Sequence, residues 1–305
     1  MKRKFHFITP IIALLIFSCN KEEKASIEPS LIFRFRFDST QERLNNVGQP
    51  ATIPAGNAAQ SGKMNVMSAH YIELTPTALT QLGQGTVVYR ASETTLGGVN
   101  AIDFDKAAKA GNGEEFYRVP LKNITRGTYE WIRVSLAYQN GDVTIRIDTT
   151  IQGFSINQDL NATLASFIGF NNYIKSFKIK DSTIAVNGNR KQGFWGFETS
   201  PINIFGVNYA GKDTGQAPSG TTTVVNPLFN SSPIPQGSCV VTAAFAGGNK
   251  LTITGNETKD IIIECSFSTN KSIEWQDVNP NGKWEPLKGE RLVDMGVRGL
   301  IPTIK

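Results

Sequence analysis

Apolar side chains recur at every second position in many short stretches of the chain. In residues 31–37 they occupy alternate positions, and two arginines fall between them. A period of two places successive side chains on opposite faces of the backbone, so this pattern predicts a half-buried β-strand. Further strands are predicted near residues 70–74, 86–90, 99–104, 116–121, 167–170, 173–180, 183–186, 194–198, 202–207, 239–245, 251–254 and 260–267.

The clearest predicted hairpin lies in residues 132–147. Apolar residues alternate over 132–136 in its first arm and over 143–147 in its second arm. Asn140-Gly141 lies between the arms, and a tight type I′ turn prefers this pair because both of its central residues need a positive φ. The sequence therefore predicts two antiparallel strands that are joined at this pair.

Helical periodicity is missing from the chain after its N-terminal segment. Residues 105–115 contain alanine and lysine, but Gly111 and Gly113 argue against a stable helix there. Many short strands with frequent turns predict an all-β fold, an antiparallel β-sandwich with long surface loops. The domain is expected to cover residues 31–305, and the loop 209–237, which is rich in Gly, Ser, Thr and Pro, is a candidate sub-boundary within it.

The N-terminal segment combines a basic start with a short apolar run. Lys2, Arg3 and Lys4 precede the apolar residues 11–17, which are too few to span a bilayer, where about 20 are needed. A short apolar run that ends in a small residue is typical of a secretory signal. We therefore expect residues 1–18 to be a signal peptide.

The end of this segment resembles a bacterial lipobox. In Ile16-Phe17-Ser18-Cys19 the resemblance implies that a peptidase cuts before Cys19, that this cysteine carries the lipid, and that residues 19–30 form a tether. Lys21-Glu22-Glu23 resembles the export signal of Bacteroidetes surface lipoproteins, which implies the outer face of the outer membrane. The alternatives are an ordinary signal peptide with an incidental cysteine, and a charged tether without an export role.

The formal net charge of +5 overstates the basic character of the exported protein. Lys2, Arg3 and Lys4 lie in the expected signal peptide, and the rest of the chain is close to neutral. A nucleic-acid-binding protein needs a clustered basic face. No nucleic-acid partner is therefore expected.

Cys239 and Cys265 are the cysteines that remain once Cys19 is assigned to the lipid. Both lie in predicted strands on the apolar face, and disulfides persist in the oxidising compartment outside the cytoplasm. Two alternatives stay open, a Cys239–Cys265 disulfide or two small buried side chains. Spacing along the chain does not fix the Cα separation that a bridge requires.

A stretch near the C-terminus carries oxygen-bearing side chains at alternate positions. Asp277, Asn279 and Asn281 are followed by Gly282. An EF-hand-type loop binds calcium through side chains at its first, third and fifth positions and through a carbonyl at its seventh, which is Lys283 here. The stretch predicts a structural calcium site, and it resembles the SdrD-B-like Asp-x-Asn-x-Asp-Gly loops of secreted bacterial β modules.

Two positions depart from that pattern. Asn281 replaces an aspartate, and Lys288 stands where the twelfth-position acid is expected. Glu290 can supply the bidentate carboxylate if the chain bulges at Pro286-Leu287, and Glu285 can bind directly or through water. The alternative is a turn without metal. The loop is expected to lie beyond the strands of the sandwich.

Signatures of catalysis are weak. His70 is the one histidine after the signal segment, so a catalytic triad would depend on it alone. Met64, Met67 and His70 have the spacing of a soft-metal site on a helix. In the predicted strand, however, that spacing alternates between faces, which favours a half-exposed histidine with two core methionines. Acid pairs such as Asp103 with Asp105 are more typical of surface charge than of a glycosidase.

Four aromatic residues have two alternative roles. Phe194 and Trp195, with Tyr173 and Trp131, either build a platform on which sugars stack or belong to the core.

A wider resemblance rests on four stretches, which are Met64-Asn65-Val66 with the strand after it, Gly127-Thr128-Tyr129, residues 193–197 and residues 251–267. They resemble the MbnP-like family of periplasmic and outer-membrane β proteins, some of which bind copper. The resemblance implies a β fold. The histidine and tryptophan surroundings of the family's metal have no clear counterpart here, so it implies no copper ligands.

Together these patterns predict a non-enzymatic, lipid-anchored cell-envelope protein. Its calcium-stabilised β-sandwich is expected to bind a ligand at the cell surface, either a glycan or a protein. The alternatives are an MbnP-like lipoprotein that handles copper, and a glycan-processing enzyme.

Overall fold

The structure is a computed structural model, and it describes residues 28–44, 50–78, 80–218 and 239–305. Within these ranges the regular elements are β-strands and short 3-10 turns, without an α-helix, so the expected all-β fold is confirmed. The strands are β1 (Ser30–Asp38), β2 (Asn57–Gln60), β3 (Lys63–Thr75), β4 (Thr86–Arg90), β5 (Glu93–Thr94), β6 (Ala101–Asp103), β7 (Glu115–Pro120), β8 (Gly127–Tyr129), β9 (Trp131–Ile151), β10 (Phe154–Phe167), β11 (Asn172–Lys178), β12 (Thr183–Arg190), β13 (Phe194–Thr199), β14 (Ile202–Ile204), β15 (Val207–Tyr209), β16 (Lys212–Gln216), β17 (Cys239–Ala244), β18 (Leu251–Ile253), β19 (Ile261–Ser268), β20 (Ile273–Gln276), β21 (Leu292–Asp294) and β22 (Leu300–Ile304).

A seven-stranded antiparallel sheet forms the centre of the molecule. Its order is β16-β13-β10-β9-β3-β4, and β17 pairs with the first half of β9. A four-stranded sheet, β22-β19-β1-β7, shares one hydrophobic core with it. Tyr89 of β4 and Phe116 of β7 make a T-shaped contact between the two sheets, with ring centroids 4.9 Å apart. These two layers form the sandwich.

A smaller sheet covers part of the other face of the central sheet. It has the order β12-β11-β6-β5, and a second hydrophobic cluster lies beneath it. Phe167 of β10 is at the middle of that cluster, within 6 Å of Phe104, Tyr138, Phe177 and Phe194 by ring centroids. Among the described strands two pairs are parallel, β1 with β19 and β6 with β11.

The expectation of a loop over residues 209–237 is wrong for Lys212–Gln216, which form β16 at the edge of the central sheet. Strands on the two sides of this segment belong to the same sheets. β17, after the loop, pairs with β9, and β19 pairs with β1. One core contains residues from both sides, such as Phe35 and Phe267, whose rings make a T-shaped contact at 5.0 Å. The described strands therefore form one sandwich that the loop does not divide, while residues 219–238 lie outside the described part.

The predicted hairpin at residues 132–147 is wrong, because β9 runs through it without a turn. The sequence pattern does change there, from even to odd apolar positions. The structure produces this change with a β-bulge: Ser68 pairs with Tyr138 and Ala69 with Leu136, which leaves Ala137 without a partner on β3. A bulge adds one residue to one strand and so reverses which residues face the core. Both halves of β9 therefore bury their apolar residues in the same core.

Tertiary contacts override the turn preference of Asn140-Gly141. The Asn140 amide donates to the Ile179 carbonyl at 2.8 Å, and a Cβ on Gly141 would lie 2.8 Å from the Met64 sulfur. The turn falls instead at Gln152-Gly153, between β9 and β10, where φ is +51° and +82°. These are the positive values that a type I′ turn needs.

Both inner cysteines are free and buried, so the structure does not contain the Cys239–Cys265 disulfide. They lie in different sheets, on β17 and β19. Burial raises the pKa of the Cys239 thiol to about 12 and also raises the pKa of Cys265. At neutral pH both are uncharged small side chains in the core, which agrees with the other alternative.

Native protein carrying Cys19→Ser should therefore react with no thiol reagent. The thiolate is the reactive species, and both its formation and its access are blocked at these sites. After unfolding in guanidinium without reductant, a chromogenic disulfide reagent should detect two thiols per chain. Two thiols that appear only after reduction would contradict the free state.

The signal peptide, Cys19 and Lys21-Glu22-Glu23 lie outside the described residues, so those expectations stay predictions. Within the described part of the chain, no helix has the length and apolar character that a membrane crossing requires.

Candidate functional site

The predicted calcium loop joins β20 to β21 and is anchored in the fold by its second half, while residues 278–283 are exposed. The expectation that it lies beyond the strands is wrong, because β20, β21 and β22 surround or follow it. β20 pairs with both β2 and β21. The loop from β20 to β21 contacts β9 of the central sheet. Trp284, Glu285 and Glu290 are buried. A change in this loop therefore reaches the packed interior.

Asp277 organises the first turn of the loop. Its carboxylate accepts hydrogen bonds from the backbone N–H groups of Asn281 at 3.4 Å and Gly282 at 3.1 Å. Gly282 has a φ of +70°, a left-handed conformation that glycine adopts at little cost. Asp277 thus bends the following residues around its own carboxylate, as the sequence pattern predicts.

Glu285 brings the two asparagines to a common point. The amides of Asn279 and Asn281 donate to its Oε2 at 2.8 and 2.7 Å. The hydrogen bond from Asn279, followed by that from Asn281, lowers the pKa of Glu285 despite its burial. An amide presents Oδ1 in place of Nδ2 after a half-turn about its side-chain bond. The same two side chains can therefore act as oxygen ligands.

Glu290 returns to the loop after a 3-10 turn at Pro286–Lys288. Gly289, with a φ of +86°, ends that turn. The Glu290 carboxylate accepts the backbone N–H of Glu285 at 2.6 Å and that of Asn279 at 3.4 Å. Burial, together with the neighbouring Asp277 carboxylate, raises the pKa of Glu290. The bulge that would deliver this acid to the loop is thus present.

Two lysines at the outer edge of the loop form ion pairs with nearby carboxylates. The Lys283 ammonium lies 3.4 Å from Asp159 of β10, and Lys288 lies 3.0 Å from Asp148 of β9 and 3.1 Å from Glu285. The Lys283 backbone N–H donates to Asn281 Oδ1 at 2.7 Å. The carbonyl of Lys283 as a ligand stays a prediction.

The donor set suits a hard cation. Asp277, Glu285 and Glu290 supply carboxylates and the two asparagines supply amide oxygens, which are the ligand types that calcium prefers. The described ranges contain no group of three or more His, Cys, Asp and Glu side chains gathered as a metal site. In this loop, amides and backbone N–H groups separate the carboxylates. Calcium binding therefore requires the two amides to turn their oxygens inward.

Trp284 attaches the loop to the central sheet. Its carbonyl accepts the backbone N–H of Arg146 at 2.7 Å. Its ring lies between Trp275 of β20, at 6.3 Å, and Phe197 of β13, at 5.6 Å. β3 pairs with β9 from Trp131 to Asp142. Beyond Asp142 no described strand pairs with this edge of β9, and the loop lies there in place of a strand.

An apolar cleft of about 580 Å³ lies between the loop and the central sheet. The floor comes from alternate residues of β9, β10 and β13, and the opposite wall comes from the 3-10 turn of the loop. The volume falls within the range of small-molecule sites. The lining residues are Ile145, Ile147, Thr149, Ile151, Leu160, Trp195, Phe197, Thr199, Ile202, Tyr209, Ala210, Gly211, Lys212, Asp213, Trp284, Pro286 and Leu287.

Several polar groups of the cleft are engaged with the backbone. Thr199 Oγ1 accepts the N–H of Gly211 at 2.8 Å, and Asp213 accepts the N–H of Thr214 at 2.8 Å. Trp195 lies over Gly215, where any Cβ would overlap the indole ring. The indole is therefore held against the edge strand β16.

The cleft was not predicted, although a signal for it exists. Apolar alternation in β9 continues to Ile151, beyond the length that the partner strand β3 can cover. Leu287 and Tyr209 contribute from irregular or short segments, where no periodicity marks them. Trp195 was one of the residues considered for a sugar platform.

The structure separates that predicted platform. Phe194 and Trp195 face opposite sides of β13: Phe194 joins the second hydrophobic cluster, and Trp195 lines the cleft. Tyr173 and Trp131 belong to other strands, β11 and β9, and neither lines the cleft. The four residues do not form one surface.

His70 is buried, so the expected half-exposed position is wrong. Its exposed fraction is 2%, its Nε2 lies 2.8 Å from Glu93, and its ring stacks on Phe170 at 5.1 Å. Burial lowers the pKa of His70. Asp103 and Asp105, the acids considered for a glycosidase, pair with Lys106 and Lys175.

No protein-family model matches the chain, and neither a curated protein nor a solved structure matches it.

Proposed function

We propose that this protein is a non-enzymatic, lipid-anchored binding protein of the outer membrane, exposed at the cell surface and stabilised by calcium. The N-terminal sequence supports the anchor, through the lipobox-like segment that ends at Cys19 and the Lys21-Glu22-Glu23 segment after it. The donor chemistry of the loop between β20 and β21 supports the calcium ion.

One observation carries the binding role. Pro286 and Leu287, between the proposed ligands Glu285 and Glu290, form a wall of the open apolar cleft. Calcium that holds those two acids also fixes the cleft wall, so the ion serves ligand binding by keeping the site formed. An EF-hand-type loop saturates its ion with protein ligands, which favours a structural rather than a catalytic ion.

A substitution that fills the cleft tests this role. Thr149 lies on the cleft floor, and Thr150 lies on the opposite, exposed face of the same strand. Thr149→Trp should abolish binding of a ligand found in a screen of envelope glycans, lipids and peptides, whereas Thr150→Trp should leave it unchanged. The proposal fails if every ligand found binds both variants equally, or if the screen instead finds turnover of a glycan.

A further inference from the structure

The cleft continues into an apolar surface at the tips of two hairpins. Ile151, which lines the cleft, pairs with Phe154 across the β9–β10 turn, so the two side chains share a face. Phe205 lies at the tip of the β14–β15 hairpin, whose Ile202 and Tyr209 also line the cleft. The rings of Phe154 and Phe205 meet with centroids 4.9 Å apart.

Phe205 is unfavourable in two ways, in the exposure of its side chain and in its backbone conformation. The residue is 82% exposed and has a φ of +48°. A large side chain is rare in the left-handed region, and glycine, asparagine or aspartate is usual at that turn position. Strained and exposed residues of this kind concentrate at functional sites, and exposed apolar patches mark binding surfaces. The hairpin tip therefore indicates contact with an apolar partner.

The lining of the cleft favours an apolar ligand over a sugar. Its floor is aliphatic, with Ile145, Ile147 and Leu160, and its walls add the rings of Trp195 and Trp284. A sugar needs a partner for each buried hydroxyl, because an unpaired one loses its hydrogen bonds to water. Thr199 and Asp213 already accept backbone N–H groups, and the other hydroxyl or charged side chains of the lining are Thr149, Tyr209 and Lys212, against a mostly aliphatic and aromatic surface.

We propose that the cleft binds a long acyl chain, which enters past the Phe154–Phe205 pair. This inference rests on the proposed binding function and names its ligand class. Apolar contact with the cleft floor supplies the affinity, at about fourfold for each buried methylene. The two exposed rings contact the lipid source, and Leu287 closes the side of the cleft that the calcium loop forms.

Photolabelling with a diazirine derivative of palmitic acid tests the inference on the full chain in phosphatidylcholine vesicles. We expect crosslinks to map to residues 145–151 and 284–287 and to be displaced by unlabelled palmitic acid. Thr149→Trp should lower the labelling at least about tenfold, since the loss of two buried methylenes already amounts to that factor. Thr150→Trp should leave it unchanged. Repeating the experiment with free palmitic acid in the absence of vesicle lipid identifies the source of the chain.

A second pair of variants controls for a loss of labelling that misfolding of Thr149→Trp would cause. Leu287 is 63% exposed and Leu96, outside the cleft, is 70% exposed, so a glutamate at either position leaves the core intact. Leu287→Glu should reduce the labelling, and Leu96→Glu should not.

Labels outside the cleft, or labels that Thr149→Trp and Leu287→Glu leave unchanged, would overturn the acyl-chain inference. If an oligosaccharide then bound in a manner sensitive to Thr149→Trp, the proposed binding function would stand with another ligand. If Thr149→Trp changed the binding of no ligand, both the acyl-chain inference and the proposed binding function would be wrong.

Discussion

Calcium is expected to raise the melting temperature of the protein by several degrees, and a chelator is expected to reverse the change. An ion that binds only the folded state stabilises it by about 2.7 kcal/mol at a hundredfold excess over its dissociation constant. For a chain of this size that corresponds to roughly 5 °C or more. Magnesium should have a smaller effect because it demands a tighter octahedral shell. Differential scanning calorimetry measures all three.

Asp277→Ala should remove the difference between calcium and chelator. The variant should also be less stable than the wild type in chelator, because it leaves the N–H groups of Asn281 and Gly282 without their acceptor. Asp181→Ala is the matched control, since Asp181 is exposed and outside the loop. A calcium response that survives Asp277→Ala at full size would contradict the site.

The two glutamates of the loop should differ in their contribution to calcium affinity. Glu285 already has Lys288 as a counterion at 3.1 Å, whereas Glu290 lies beside the like-charged Asp277. A cation relieves that repulsion, so Glu290→Gln should weaken calcium binding more than Glu285→Gln does. Calcium titration calorimetry of the two variants measures the ratio. The reverse order would show that Glu290 is not the main carboxylate ligand.

Cys19→Ala is expected to abolish membrane attachment. The thiol is the only predicted site for acyl chains, and stable anchoring depends on such chains where no spanning segment replaces them. Membrane fractionation of cells fed radiolabelled palmitate should find the wild type labelled and sedimented with the membranes, and the variant unlabelled and soluble. Cys239→Ala is the control, because its thiol is buried and it should keep both the label and the attachment. A labelled, membrane-bound Cys19→Ala protein would contradict the lipobox.

Local patterns were sufficient for many strands and for the bend at Asp277, but nearly all of β10 lies outside the predicted strands. Alternation in residues 31–37 corresponds to β1. The spacing of Asp277, Asn279 and Asn281 corresponds to a loop in which the two asparagine amides meet at Glu285 and Asp277 accepts backbone N–H groups of the following turn. In both cases the residues that determine the structure are neighbours in the chain, so spacing carries the information.

Features that depend on residues far away in the chain could not be predicted from local patterns. Around Ala137 the apolar residues change from even-numbered to odd-numbered positions, which either a hairpin or a bulge explains locally. The choice depends on β3 and β10, which lie on either side of β9. His70 is buried by Phe170, and the cleft forms where the loop after β20 meets a sheet edge far away in sequence. No single stretch encodes those contacts.

Terbium luminescence measures the calcium site most directly. Terbium replaces calcium in oxygen-rich sites, and Trp284, within the loop, is close enough to transfer excitation to a bound ion. We expect emission that saturates at one ion per chain and that calcium displaces. Asp277→Ala should remove it, Asp181→Ala should preserve it, and Trp284→Phe should lower it to what the neighbouring Trp275 can excite. Emission that rises without saturation and is unchanged in Asp277→Ala would contradict a calcium ion in this loop.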